Sequence, residues 1–327
     1  GGAPAWVYEY IRSPKVIPLE KKKDVLDPRP VGCVDVLWRW ASRALMFSLR
    51  DVLASHLEPH QFAVGRRAGI EAMVHGMEED IAALPGGCWL SGDVENAFNA
   101  VDRAALLEAV AEVSPALAVA VIAMYGGPTG YRYIGKEGAK VLWTERGCVQ
   151  GDHLSMAVFC IAIRAPIRWV ANAANAVVNG GQLGPWAEPA PPRAVQESIR
   201  KWVESSQRLK PVRDLVGPNE SVTIKPRYYA DDGVWKVPKW LLASMPELIS
   251  ECFAVVGLSM NTSKWEAWAP AGGGQPLSEG DAGPLVTVRV AGSGLVVAGA
   301  PLSDEVSMPT AAVVIGEKSF AQEYLAK

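Results

Sequence analysis

Tyr228-Tyr229-Ala230-Asp231-Asp232-Gly233 is the stretch from which the rest of the chain is read. Val222 to Ala230 and Gly233 to Val237 are predicted strands, and the short acidic turn between them is predicted to close a hairpin. Asp-Gly is a favoured turn pair, so two acids at this tip alone describe an ordinary surface turn. The flanks say more. Tyr228, Tyr229, Val234 and Trp235 make the hairpin apolar, and a buried hairpin would fix its two acids in place.

A second acid stands far upstream. Cys88 to Gly92 reads as a buried strand that ends at Asp93, and Val94-Glu95-Asn96-Ala97-Phe98 follows as a turn entering a helix. Strand ends are often acidic, so this feature is also weak alone. Taken together, carboxylates from separate strands can hold two Mg²⁺ ions about 3.5–4 Å apart, as phosphoryl transfer by a polymerase requires. Oxygen donors suit Mg²⁺, which keeps water and takes one or two carboxylates per ion.

Around these acids the pattern mixes helices and strands. Val36 to Leu57 is predicted as one helix with Leu37, Trp40, Ala44, Phe47 and Val52 on its apolar face. Asp102 is placed to cap a helix through Leu106, Leu107, Val110 and Val113. Ser155 to Val178 is a long apolar helix. Ala194 to Leu209 is amphipathic, with Val195, Ile199, Trp202, Val203 and Leu209 on one stripe. Thr287 to Val290 and Gly294 to Ala298 suggest a later hairpin. Gly/Pro-rich loops are expected at 179–193 and 270–276. The irregular order predicts an α+β fold rather than a doubly wound sheet.

Composition sets bounds. The 327 residues are 49% apolar, which describes a folded chain with a sizeable core. Five scattered cysteines, none spaced C-x-x-C, argue against a disulfide framework or zinc site and for a reducing compartment. The apolar run from Ala116 to Met124 is short for a membrane span, and the one after Met156 is interrupted by Arg164, Pro166 and Arg168, so both read as buried helices. The net charge of −3 is unusual for a nucleic-acid binder, but two segments are basic. Residues 1–50 hold nine Lys/Arg against five Asp/Glu, and residues 193–213 hold six against two. Ordinary solvated faces would look the same. The start, Gly1-Gly2-Ala3-Pro4, shows no leader and is expected of the cut edge of a longer protein.

The motifs, in order, resemble those of a reverse transcriptase of the non-LTR retrotransposon type. Asp93, followed five residues later by Phe98, resembles the first palm motif, and Tyr229-Ala230-Asp231-Asp232 the Y-x-D-D hairpin. Gly147-Cys148-Val149-Gln150-Gly151-Asp152-His153-Leu154-Ser155 resembles Q-G-D-P-L-S, with His153 in place of the usual Pro. Val16-Ile17-Pro18-Leu19 with Lys21 to Lys23 and Arg29-Pro30 resembles the fingers motifs, as does His60-Gln61-Phe62-Ala63-Val64-Gly65 through Gly69-Ile70-Glu71. Gly257-Leu258-Ser259-Met260-Asn261 with Lys264 and Glu266, then Val297-Ala298-Gly299-Ala300-Pro301-Leu302, complete the set.

The resemblance implies a right-hand polymerase fold: fingers and fingers–palm helices in 1–90, a palm with an antiparallel sheet in 91–302 carrying an insertion at 179–221, and a thumb start or truncated tail in 303–327. It implies Asp93, Asp231 and Asp232 as catalytic acids. Asp93, Asp231 and the Val94 carbonyl would hold two Mg²⁺ (or Mn²⁺), with Asp232 supporting. Phe98 would crowd the sugar 2′-position and favour dNTPs, with Asn96 and Ala97 beside it; a core aromatic is the plainer account of Phe98. Gln150 and Gly151 would flank the new base pair. Arg29 and one of Lys21, Lys22 or Lys23 (Lys22 the candidate named here) would grip the triphosphate. Lys264 would assist the leaving pyrophosphate or simply be an exposed lysine.

The implied partners are an RNA template, a DNA or RNA primer and dNTPs, with no membrane. The setting is intracellular, and nuclear for a eukaryotic retroelement. The 25 residues after Leu302 are too few for a full thumb, so a fragment or reduced element is expected. An inactive nucleic-acid-binding relic and an RNA-dependent RNA polymerase share the acids. The sequence sets no oligomeric state.

Overall fold

The computed structural model describes residues 3–20, 28–83, 87–136, 138–186, 188–210, 223–270, 277–289, 295–298 and 300–302. The elements run α1 (Ala5–Ile11), β1 (Lys15–Glu20), β2 (Pro28–Cys33), α2 (Val36–Ser48), α3 (Arg50–Leu57), α4 (Gly69–Ala83), β3 (Gly87–Gly92), α5 (Ala97–Ala100), α6 (Arg103–Val113), α7 (Pro115–Tyr125), β4 (Thr129–Gly135) and β5 (Gly138–Thr144). Then come α8 (His153–Val178), α9 (Arg193–Gln207), β6 (Arg227–Tyr229), β7 (Asp232–Pro238), α10 (Met245–Ala254), β8 (Trp265–Trp268), α11 (Glu279–Ala282), β9 (Val286–Val288), β10 (Leu295–Val297) and β11 (Ala300–Leu302). The class is α+β, as the irregular order predicts.

Three sheets form. The central one has strand order β6-β7-β3-β8-β9, antiparallel except for the β8–β9 pair. A second has order β2-β1-β4-β5, and β10 pairs with β11. Both faces of the central sheet are buried along β3 and β7. On one face Cys88, Leu90, Trp235, Val237, Trp265 and Ala267 join the main core with α8 and α10. On the other, Trp89, Val234 and Trp268 pack with Phe62, Met73 and Met77, so α4 covers that side. Asp80 fastens α4 to the sheet: its carboxylate pairs with Arg227 at 2.8 Å and its backbone carbonyl accepts from Lys236.

The long helix α8 is the spine of the core, packed by α2, α3, α6, α9 and α10. It runs unbroken past Arg164, Pro166 and Arg168, as the single long helix expected there. By length and composition α8 is apolar enough to cross a membrane, but 78% of its most apolar window is buried inside the protein, as a core helix should be.

Several expectations are corrected. Residues 36–57 form two helices, not one. Their predicted apolar face is exposed: Leu37, Trp40 and Phe47 are each more than two-thirds accessible. A second stripe, Trp38, Ser42, Leu45 and Leu49, faces the core instead. Both stripes have helical spacing, so periodicity alone does not choose between them. The late hairpin is β10–β11, while β9 joins the central sheet beside β8.

The strand before the acidic turn is only three residues long. Upstream of it Ile224 is held irregularly by Asn175, whose side chain bonds both its N–H and its C=O. The segment expected as an insertion contains α9, whose Ile199, Trp202 and Val203 are buried, whereas Leu209 lies beyond the helix and is exposed. Lys21 to Lys23, the 271–276 loop and the 303–327 tail lie outside the described residues.

Candidate active site

β3 and β7 pair antiparallel with Gly92 opposite Gly233, the last pair of the ladder. Continuing that register by one residue sets Asp93 against Asp232. The β6–β7 hairpin closes through Tyr229↔Asp232, leaving Ala230 and Asp231 as its two-residue turn. Ala230 has φ of 57°, in the left-handed region that alanine rarely adopts. Beyond β3 the chain pairs with 259–261: Glu95 N–H donates to the Ser259 carbonyl and Asn261 N–H to the Asp93 carbonyl. Val94 and Met260 thereby form a pair that is not mutually hydrogen-bonded, which turns the Val94 C=O away from Met260.

These segments line a cleft of about 480 Å³. Its walls hold Asp93, Val94, Asn96, Ala97, Phe98, Gln150, Asp231, Asp232, Arg29 and Lys264. The expected site residues thus converge, apart from Gly151 and the undescribed Lys22. Gly151 does not line the cleft. Its φ is +104° and a Cβ there would stand 2.6 Å from the Gly32 carbonyl, so the glycine serves the packing of this loop on β2. The same junction is tied by a 2.7 Å bond from Gly32 N–H to the Gln150 carbonyl, which holds Gln150 beside the strand bearing Arg29.

Phe98 fits both of its readings: it lines the cleft, and its ring stacks on Phe159 at 4.7 Å. Asn96, with φ of 48°, makes the tight turn between Asp93 and Phe98, a conformation that asparagine tolerates. Lys264 donates to the Asp93 carboxylate and forms an ion pair with it. Asn261, for which the sequence suggested no role, caps the short turn Thr262–Lys264 that presents this lysine. An Asn before a short polar turn is the signal that pointed to it.

The electrostatics are those of acids held together. Burial pushes the Asp231 carboxyl up, and Asp93 adds to this; Arg29 and Lys264 oppose it. Asp232 is pushed up to about 6 by burial, then by Asp231 and Asp93. Its side chain is open to the cleft mouth, so repulsion from the two facing acids is the firmer part of that shift. Among the described residues, no three His, Cys, Asp or Glu side chains already stand gathered as a cation site. With Lys264 against Asp93, an ammonium occupies the position of the positive charge that a cation would bring. The donor set of hard oxygens fits Mg²⁺, provided Asp93 exchanges Lys264 for the ion.

Behind the cleft, Asp152 precedes α8 but does not cap it with its side chain. Its buried carboxylate accepts from the Trp38 indole and the Tyr125 hydroxyl, tying α2 and α7 to the start of α8. The helix begins at His153 all the same.

No family model matches this chain and no curated protein matches it. Among solved structures it is similar to apo telomerase from Candida tropicalis, at 11% identity and a TM-score of 0.46, over 79% of this chain and 44% of that one. The same telomerase truncated from its C-terminal domain gives 9% identity and 0.44, over 79% and 50%. The telomerase in complex with a TWJ fragment of telomeric RNA gives 13% and 0.44, over 79% and 41%. The chain spans half or less of the length of each. At these TM-scores the likeness stands as a finding, and the functional reading rests on this chain's own residues.

Proposed function

We propose that this chain carries the fingers and palm of a reverse transcriptase that extends a primer 3′-hydroxyl with dNTPs along an RNA template. One observation supports the reading. Asp93, Asp231 and Asp232 line one cleft whose walls also hold Phe98, Gln150, Arg29 and Lys264, side chains drawn from five separate segments.

Asp93 and Asp231, with the Val94 carbonyl, would hold two Mg²⁺ (or Mn²⁺), and Asp232 would support them. Such a pair of ions supplies nucleophile activation and charge neutralisation for in-line phosphoryl transfer. The chain's own residues do the rest. Arg29 at the mouth suits two-pronged contact with a triphosphate. Lys264, once released from Asp93, faces the same charge. Phe98, braced by Phe159, presents a rigid wall to the sugar. The primer would be DNA or RNA, and the segments would be fingers in 1–90 and palm in 91–302. The non-LTR retrotransposon type and a nuclear setting belong to this proposal. The Lys264–Asp93 pair also favours a second reading, a nucleic-acid-binding relic in which that ion pair is permanent.

Incorporation of dNTPs and of rNTPs on a primed RNA template, with Mg²⁺ or Mn²⁺, decides between them. The expected result is dNTP incorporation that Asp93→Asn and Asp231→Asn each abolish. Incorporation indistinguishable in the Asp93→Asn variant would overturn the proposal, preference for rNTPs would move it to an RNA polymerase, and RNA binding without incorporation would leave the relic.

A further inference from the structure

The acids of the cleft are supported by a residue that touches none of them. Gln61 is 3% exposed and lies between α3 and α4, in a bridge with Tyr228. The backbone on either side of it brackets the hairpin: Tyr228 N–H donates to the His60 carbonyl at 2.7 Å, and Phe62 N–H donates to the Tyr228 carbonyl at 2.8 Å. The Gln61 side chain reaches two residues further. Its Oε1 accepts from the Ala230 N–H at 2.9 Å, and its Nε2 donates to the Ala230 C=O at 3.1 Å. Oε1 also accepts from the Phe62 and Ala63 N–H groups, at 3.2 Å each. Three donors converge on one end of the amide and an acceptor on the other, so the network fixes which end is which.

Ala230 is the residue these bonds grip, and it is strained. It is buried, carries a Cβ and has φ of 57°. Such a conformation persists only where the surroundings over-determine it. Asp231 follows directly, and the direction of its carboxylate depends on the Ala230 backbone. We infer that Gln61 is a positioning residue of the cleft: by holding both polar groups of Ala230 it keeps the left-handed turn that aims Asp231 at Asp93. The inference rests on the polymerase reading for its catalytic consequence. Its geometric content, that the turn depends on Gln61, concerns the metal site alone.

The test pairs Gln61→Met, which keeps length and loses every bond, with Ala230→Gly, since glycine enters the left-handed region without a Cβ penalty. Three readouts are taken on the full chain: thermal stability, Mn²⁺ binding followed by the free-ion electron paramagnetic resonance signal, and steady-state incorporation. In Gln61→Met, kcat is expected to fall about ten- to a hundred-fold, the range that a small misplacement of a reacting group produces. The KM for dNTP should stay within about three-fold, because Arg29, Lys264 and Phe98 are untouched. Mn²⁺ binding should weaken in parallel with kcat. Adding Ala230→Gly should restore a substantial part of both losses.

A folded Gln61→Met with parental kcat and Mn²⁺ affinity overturns the inference. So does a loss that Ala230→Gly leaves unchanged, since that outcome makes Gln61 a general support of the fold. Should Gln61→Met fail to fold, Gln61→Glu keeps the acceptor and sets a carboxylate oxygen against the Ala230 carbonyl in place of the donor, and the same rescue by Ala230→Gly decides. A parental chain that binds Mn²⁺ but incorporates nothing fails the polymerase reading and leaves Gln61 to be judged on Mn²⁺ binding. A parental chain that incorporates dNTPs, with Gln61 variants that match it, fails this inference alone.

Discussion

Asp232 illustrates what a polyanionic cleft costs its fold. Its folded pKa is raised to about 6, burial first and then the charges of Asp231 and Asp93. For a raised carboxyl the sign is fixed. The contribution to stability is fully present below the ordinary carboxylate range and is lost as pH rises through about 6. Asp232→Asn removes that penalty. In a chelator at pH 8 the variant should therefore melt above the parent, by about 1–4 °C, with the difference fading at pH 4. Added Mg²⁺ should narrow the gap, because ligand binding stabilises the parent more than a variant that lacks the supporting acid. Melting curves across pH check this, and a variant no more stable than the parent at pH 8 refutes it. The three acids were legible in the sequence because two short motifs carry them and each sits at a strand end. Gln61 was quoted among those motifs but its task was not legible, since it acts on a residue 169 positions away. No local spacing encodes such a contact.

At the level of elements, what could be read followed periodicity where one face alone was apolar. The strand before Asp93, the Asp102 cap and the long helix α8 all fall where patterning and capping predict. Patterning failed where two faces competed, as on α2, whose Leu37–Phe47 stripe is left on the surface. It also failed where tertiary pairing outweighed local signal, as when β9 joined β8 instead of closing a hairpin. The segment 179–221 was read as an insertion, yet α9 within it packs against α8 and α10, and the Trp202 indole donates to the Ser244 carbonyl at 2.9 Å. A dispensable appendage would lose little on truncation of that side chain. The burial here predicts otherwise: Trp202→Ala should lose about 3–5 kcal/mol, the range for a large buried aromatic. Urea denaturation with an unchanged m-value measures it. A loss below about 1 kcal/mol would show α9 to be peripheral.

Across the whole molecule, the fold brings together charges that are distant in sequence, and the two sides of the core respond to pH in opposite senses. Against the cleft acids stands His56 of α3, whose backbone carbonyl accepts from Arg164 of α8. Its pKa is lowered to about 4, by burial first and then by Arg164 and Arg168; His60 is lowered for the same reasons, and Glu112 lies near enough to Arg164 to temper its charge. For a depressed histidine the unfolded chain takes up its proton first, near the ordinary value of 6.5. The stability is therefore present above 6.5 and is lost as pH falls through about 4. His56→Gln keeps the backbone bond to Arg164 and deletes the titration. Because His56 is only half buried, the gain is screened, and the variant should exceed the parent by about 1 kcal/mol or less at pH 5 while matching it at pH 8. Chemical denaturation at the two pH values measures the difference. Between about pH 4 and 6.5 the two titrations act with opposite slopes, so His56→Gln should gain on the parent toward the acid end of that window and Asp232→Asn toward its upper end. A His56→Gln/Asp232→Asn double variant whose stability departed from the sum of the two single changes would mean that the cleft and the α3–α8 contact are coupled, since substitutions at separate sites without shared partners add independently.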